Sequence, residues 1–178
     1  VMKTRSFYSP SRRAILMGMS ASLMLAACAG DKHTVKAATD NPAPDADNEW
    51  AKLTETEWRE RLTKEQFRVL RLEGTERAFT SPLNDEKRQG IYHCAGCDLA
   101  LFDSAAKYNS GTGWPSFWRP LEGVMGTKDD NTLFYTRTEY HCIRCGGHQG
   151  HVFNDGPKPT VQRWCNNGVA LTFRPAQA

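Results

Sequence analysis

No apolar run in this chain is long enough for a comfortable membrane span, because the stretch from Ala14 to Ala27 falls short. A lasting charge imbalance is missing too. The formal charge of +3 owes four positive residues, Lys3, Arg5, Arg12 and Arg13, to the first 27 positions, and becomes −1 without them. That excludes the basic footprint of a nucleic-acid binder, so no nucleic-acid partner is expected. No internal repeat covers the chain, and the 151 residues left when 27 of the 178 are removed fit one domain.

What is present begins with a leader. Basic residues precede the apolar run, which ends in Leu25, Ala26, Ala27 and Cys28, and this order resembles a bacterial lipobox, with Cys28 as the lipidated residue. Residues 1–27 are therefore expected to be a lipoprotein-type signal peptide. Ser11, Arg12 and Arg13 also hint at twin-arginine export, although two adjacent arginines do not decide the route. An uncleaved anchor with an incidental Cys28 is the alternative. The expected location is the bacterial cell envelope, as a periplasm-facing lipoprotein, and Ala29 gives no inner-membrane retention signal, which favours the outer membrane. Residues 28–53 are small, polar and interrupted by Pro42 and Pro44, the composition of a flexible tether.

From Thr54 the pattern changes. Trp58, Leu62, Phe67, Leu70 and Leu72 recur at near-helical spacing, Thr63 and Gln66 can form a capping box, and Gly74 is the expected stop. Two short helices should open a domain over 54–178. Strands are expected at Gly90–Cys94, Thr132–Cys142, Gln162–Cys165 and Val169–Phe173, with a positive-φ turn at Asn166, Asn167 and Gly168. The predicted class is α+β, mainly antiparallel β.

Six cysteines divide by position into one, four and one. Cys94/Cys97 and Cys142/Cys145 form two CxxC pairs within the echoing segments YHCAGC and YHCIRC. Each pair can turn two sulfurs toward one ion, and two pairs complete the four-thiolate shell of a structural zinc site. The 44 residues between the pairs imply that the metal ties distant strands together, away from the chemistry. Two disulfides are the alternative, favoured by an oxidising compartment. His93 and His141 adjoin the pairs without a necessary ligand role.

Cys165 then has no partner, which calls for a reason in an exported protein. A buried structural thiol is one reading. Against it, Arg163 lies two residues away on the same strand face, where a cation favours the thiolate. His148 and His151 add acid and base groups in a glycine-rich stretch; alone, HxxH could equally be a metal pair or two surface histidines.

Three blocks, SGTGWPSF at 110–117, GGHQGHVFNDGP at 146–157 and RWCNN at 163–167, together resemble the methionine-R-sulfoxide reductases, the MsrB or selenoprotein R type. GTERAF and GIYHCAGC extend the resemblance, which spans about Thr54 to Phe173. It implies a β-tent-like fold with a structural zinc, and reduction of methionine-R-sulfoxide in proteins. It further implies Cys165 as nucleophile, His148 and His151 organising the sulfoxide oxygen and its proton, Asn167 orienting the site, Trp114 receiving the substrate methyl, and Arg163 supporting the thiolate. Phe153 and Asp155 to Pro157 are read as scaffold. Many members carry a resolving cysteine where this chain has Thr112, so a single-cysteine cycle with a thioredoxin-like or other external thiol reductant is expected, in a monomer. The rivals are a zinc-ribbon-like binding module without catalysis and a thiol-disulfide oxidoreductase using a CxxC pair.

Overall fold

The protein's structure, a computed structural model, describes residues 48–177. The predicted leader at 1–27, the lipidation site Cys28 and the tether up to residue 47 lie outside the described residues.

Two helices of seven residues open the domain, α1 over Glu55–Arg61 and α2 over Lys64–Leu70. Helices this short do not persist alone in water, so their ends and buried faces must hold them. Both begin with a complete capping box, Thr54 with Glu57 and Thr63 with Gln66, which satisfies otherwise orphaned amides. Trp58, Leu62, Phe67 and Leu70 are buried as their spacing predicts, whereas Leu72 lies past the helix and is exposed. Gly74 is not the helical stop: α2 ends at Leu70, and the Gly74 amide closes a later turn on the Arg68 carbonyl at 2.9 Å. Packing also reaches back before Thr54. Trp50 lies 6.0 Å from Trp58, and the Asn48 side chain donates to the Arg144 carbonyl at 2.8 Å.

Nine strands follow among the described residues, and every pairing among them is antiparallel. They are β1 Gly90–Cys94, β2 Ala100–Asp103, β3 Lys107–Tyr108, β4 Ser116–Phe117, β5 Met125–Asp130, β6 Arg137–Cys142, β7 His148–Phe153, β8 Arg163–Asn166 and β9 Leu171–Pro175. One sheet runs β2-β1-β9 and the other β3-β4-β8-β7-β6-β5. The α+β, mainly antiparallel class read from the sequence is the observed one. Aromatic side chains from both sheets form the shared core: Phe102 of β2 stacks on Phe117 of β4 at 4.1 Å, Tyr92 of β1 meets Phe117 edge-on at 5.0 Å, and Tyr140 of β6 meets Trp164 of β8 edge-on at 4.9 Å.

Two predicted strand starts move by more than one residue. The strand expected from Thr132 starts at Arg137, because the polar side chains of Asp130, Asn131, Thr132 and Thr136 close residues 131–136 into a hairpin loop. The last strand starts at Leu171 after a 3₁₀ turn at Gly168–Ala170. Asn166, Asn167 and Gly168 need no positive φ there. Gly168 serves close approach instead, since a Cβ on it would lie 1.9 Å from the Ser81 hydroxyl oxygen.

Candidate active site and metal centre

Cys94 ends β1 and Cys142 ends β6, so each CxxC pair starts from the end of a strand and continues into a turn. The turns are alike. Asp98 donates to the Cys94 carbonyl at 2.8 Å and Gly146 to the Cys142 carbonyl at 2.9 Å, with positive φ at both closing residues. The sequence echo is thus a repeated knuckle, one on each sheet. All four sulfurs lie within 4.8 Å of one another and all four residues are buried. Sulfurs about 2.3 Å from a common ion at tetrahedral angles stand roughly 3.8 Å apart. The close pairs measure 3.7 Å for Cys94 with Cys145 and 3.5 Å for Cys97 with Cys142, far beyond a disulfide bond, and the cysteines are free. The donor set therefore fits a four-thiolate metal site that joins the sheets. Neither His93 nor His141 belongs to it: their Nδ1 atoms face the Asp98 carbonyl and the Glu139 carboxylate.

Away from this cluster, strand register assembles a second constellation. Cys165 in β8 pairs with Ser116 in β4 on one side and with His151 in β7 on the other, and His151 in turn pairs with Glu139 in β6. Directly opposed residues bring their Cβ atoms within about 5.5 Å. Gly150 permits the approach of β7 to β8, since a Cβ there would lie 1.9 Å from the Cys165 carbonyl oxygen. A cavity of about 240 Å³ opens on this row, lined by Trp114, His151, Arg163, Cys165 and Asn167, together with Thr75, Thr112, Arg137 and Phe153. Five of the six residues implied as catalytic or substrate-binding meet there. His148 does not line it: the ring is 2% exposed, with Nδ1 2.6 Å from Glu139 and the ring packed edge-on to His151 at 5.5 Å. Its Nε2 is buried without a protein partner.

Each lining group is held from behind. The Trp114 indole donates to the Glu76 carbonyl at 3.0 Å, and Asn167 uses both ends of its amide, accepting from the Glu76 amide at 2.8 Å and donating to the Gln149 carbonyl at 3.0 Å. Glu76 also accepts from Gly168 at 2.6 Å, so one buried residue ties the indole to the turn after Cys165. Gln149 makes a second tie, because its side-chain amide donates to the Cys94 sulfur at 3.4 Å. Arg163 forms a two-pronged ion pair with Asp155 at 2.8 and 2.9 Å over the Phe153 ring. Phe153, read from the sequence as scaffold, lines the cavity, while Asp155 supports Arg163 from outside it.

Burial pushes the Cys165 thiol up, and this outweighs the pull of the Arg163 guanidinium and the Thr112 hydroxyl toward thiolate. The support expected from Arg163 is present in direction but does not win. Burial likewise pushes His151 down, against the raising influence of Asp130. Asp130 lies 2.7 Å from His151 Nε2 and is held well below the usual carboxylate range by hydrogen bonds from Thr132, His151 and Arg137. An ionised carboxylate only accepts, so the network assigns the neutral-ring proton to Nε2 and leaves the Nδ1 lone pair available. Burial alone would raise Glu139, yet hydrogen bonds from His141 and His148 bring it down to about 2. Thr112, Ser110 and Ser116 form a run of hydroxyls at 2.8 and 2.7 Å beside the thiol.

Residues 62–175 match the SelR domain. The chain belongs to the SelR family. Within it, the chain is 53% identical over 120 residues to the peptide methionine sulfoxide reductase MsrB of Pseudomonas putida, covering 67% of this chain and 90% of that one. Identity is 48% over 122 residues to the MsrB of Leptospira interrogans, covering 68% and 93%. The chloroplastic peptide methionine sulfoxide reductase B1 of Arabidopsis thaliana is 45% identical over 145 residues, covering 78% and 72%. Several site residues of this SelR protein escaped the sequence reading: Glu76, Asp130, Arg137, Glu139 and Gln149. Glu139 carried a readable signal, since it alternates with Arg137 on one strand face. Asp130 reaches His151 through a hairpin whose register no local pattern announced.

Proposed function

We propose that this chain is a peptide-methionine (R)-S-oxide reductase that repairs oxidised methionine in envelope proteins. One observation carries the reading: in a SelR-family fold, Cys165 and His151 stand opposite each other on a cavity walled by an anchored Trp114. The thiol is protonated and the imidazole neutral in the free protein, so the thiol proton passes to His151 as the sulfur attacks the sulfoxide sulfur. His151 then delivers that proton to the departing oxygen. The substrate S–O bond and the transient sulfur–sulfur bond break as the hydroxyl passes to Cys165, leaving a sulfenic acid there and free methionine, whose sulfur has gained the two electrons that Cys165 lost. Asp130 stabilises the transient imidazolium, while His148 on Glu139 braces the His151 ring. Asn167 orients the turn after Cys165, Arg163 and Thr112 favour the developing thiolate, and Trp114 packs against the substrate methyl.

Cys94, Cys97, Cys142 and Cys145 would hold one structural Zn²⁺, which supplies cross-linking of the sheets and no chemistry. With Thr112 beside Cys165, an external thiol, of thioredoxin type or small, reduces the sulfenic acid directly. The leader and Cys28 support export and a lipid anchor facing the periplasm, more in keeping with the outer membrane than the inner, with a tether that gives way to the monomeric domain by Asn48 and Trp50, which already pack against it, rather than at residue 53. The test is stereospecific turnover. Wild type should consume the R epimer of methionine sulfoxide in a peptide and spare the S epimer, and Cys165→Ser should be inactive. Activity surviving in Cys165→Ser, or dependent on a redox-active CxxC pair, would favour a thiol-disulfide oxidoreductase.

A further inference from the structure

The β5–β6 hairpin ends in three consecutive apolar residues that nothing covers: Leu133 is 46%, Phe134 110% and Tyr135 62% exposed. A soluble surface gains nothing from such a run unless it binds something. Its base is roped shut by Asp130 accepting from Thr132 and by Thr136 donating to Asn131 at 2.7 Å, so the apolar residues occupy the tip between fixed polar ends. The same base belongs to the active site. Asp130 holds His151, and Arg137, paired with Asp130 at 2.5 Å, lines the cavity. Tyr135 stands two residues and Phe134 three residues from the cavity-lining Arg137.

We infer that the Leu133–Tyr135 tip is a docking surface for the apolar neighbours of the oxidised methionine in an unfolded polypeptide. This rests on the reductase reading and names the kind of substrate that site prefers. A methionine sulfoxide in a locally unfolded segment reaches the cavity of about 240 Å³ together with the residues flanking it, and unfolding exposes those of them that are apolar. A substrate residue three positions from the sulfoxide lies up to roughly 10 Å from it in extended chain, a span that carries it past the cavity-lining Arg137 from which the hairpin tip projects.

The test compares wild type with the triple variant Leu133→Ser, Phe134→Ser and Tyr135→Ser in the full chain. Substrates are N-acetyl-methionine-R-sulfoxide and two unstructured peptides carrying methionine-R-sulfoxide, one with leucine three residues to either side and one with serine there. The variant should raise KM for the leucine peptide about tenfold, the scale of one apolar side chain losing its cover. Its kcat, and both constants for the N-acetyl substrate, should stay at wild-type values, and wild type should prefer the leucine peptide to the serine peptide by a similar factor. An unchanged KM ratio would overturn the inference. So would equal losses on the N-acetyl substrate, which would make the tip a prop for the cavity. A variant altered only in binding to phosphatidylethanolamine and phosphatidylglycerol vesicles, or only in oligomeric mass, would give the tip to a membrane or a second copy. If wild type reduces none of the three substrates, the reductase reading itself fails and the docking surface with it.

Discussion

Asp130→Asn removes one negative charge beside His151 and keeps the shape of the side chain. The carboxylate stands 2.7 Å from His151 Nε2 and 2.5 Å from the Arg137 guanidinium, so the variant weakens a charge-assisted hydrogen bond and leaves Arg137 facing the imidazole without its counter-charge. Hydrogen bonds to ionised partners contribute about 1.5–3 kcal/mol. If that support is needed only while the imidazolium exists, kcat should fall roughly 10- to 150-fold with little change in KM. The pH profile gives the sign. The reactive free enzyme has neutral His151 and protonated Cys165, so kcat/KM falls below the His151 pKa, already under its ordinary 6.5, and above that of Cys165, over its ordinary 9.0. Asp130 raises the His151 pKa, so its loss must move the acid limb to lower pH and leave the alkaline limb in place. Steady-state reduction of a methionine-R-sulfoxide peptide across pH 5–10, with thermal unfolding as a check on the fold, measures both. Wild-type kcat in Asp130→Asn, or an acid limb moved to higher pH, would refute the assignment of His151 as the proton carrier.

Thr112→Cys places a thiol on the cavity wall beside Cys165, and one turnover without reductant should then yield an intramolecular disulfide; mass spectrometry of the peptides reads it. Thr112→Val should instead slow iodoacetamide alkylation of Cys165 near pH 8, since the hydroxyl that favours the thiolate is gone. Cys97→Ser should release the metal and lower the unfolding temperature by more than roughly 10 °C, because structural zinc contributes on the order of 10 kcal/mol in small domains. Metal analysis should give one zinc per wild-type chain. Glu76→Ala leaves the buried Gly168 amide unpaired and should cost about 1.5–3 kcal/mol in denaturant unfolding, whereas Glu76→Gln, which can still accept, should lose less.

Local chemistry made much of this legible. The threonine of a capping box, the CxxC knuckles and the unpaired Cys165 each announce themselves within a few residues, and the structure places them as read. What stayed hidden depends on register. Asp130 meets His151 only because β5, β6 and β7 align across a hairpin, and Glu76 reaches Asn167 across 91 positions of sequence. The balance at Cys165 was hidden for another reason: Arg163 is visible two residues away, but the depth of burial that outweighs it, and the Asp155 that shares its charge, are tertiary facts. His148 looked equivalent to His151 in HxxH, yet a register shift opposite Tyr140 and His141, with Gln149 as the extra residue of β7, sets it beside Glu139 behind the cavity.

The central claim is oxygen transfer to one sulfur. Wild-type protein, reduced and freed of reductant, is mixed with one equivalent of methionine-R-sulfoxide peptide, quenched with a sulfenic-acid trap and mapped by mass spectrometry. The account predicts one trapped sulfenic acid, on Cys165, matched by one methionine released. Oxidation found instead at the CxxC cysteines, or methionine formed while Cys165 stays a thiol, would contradict it.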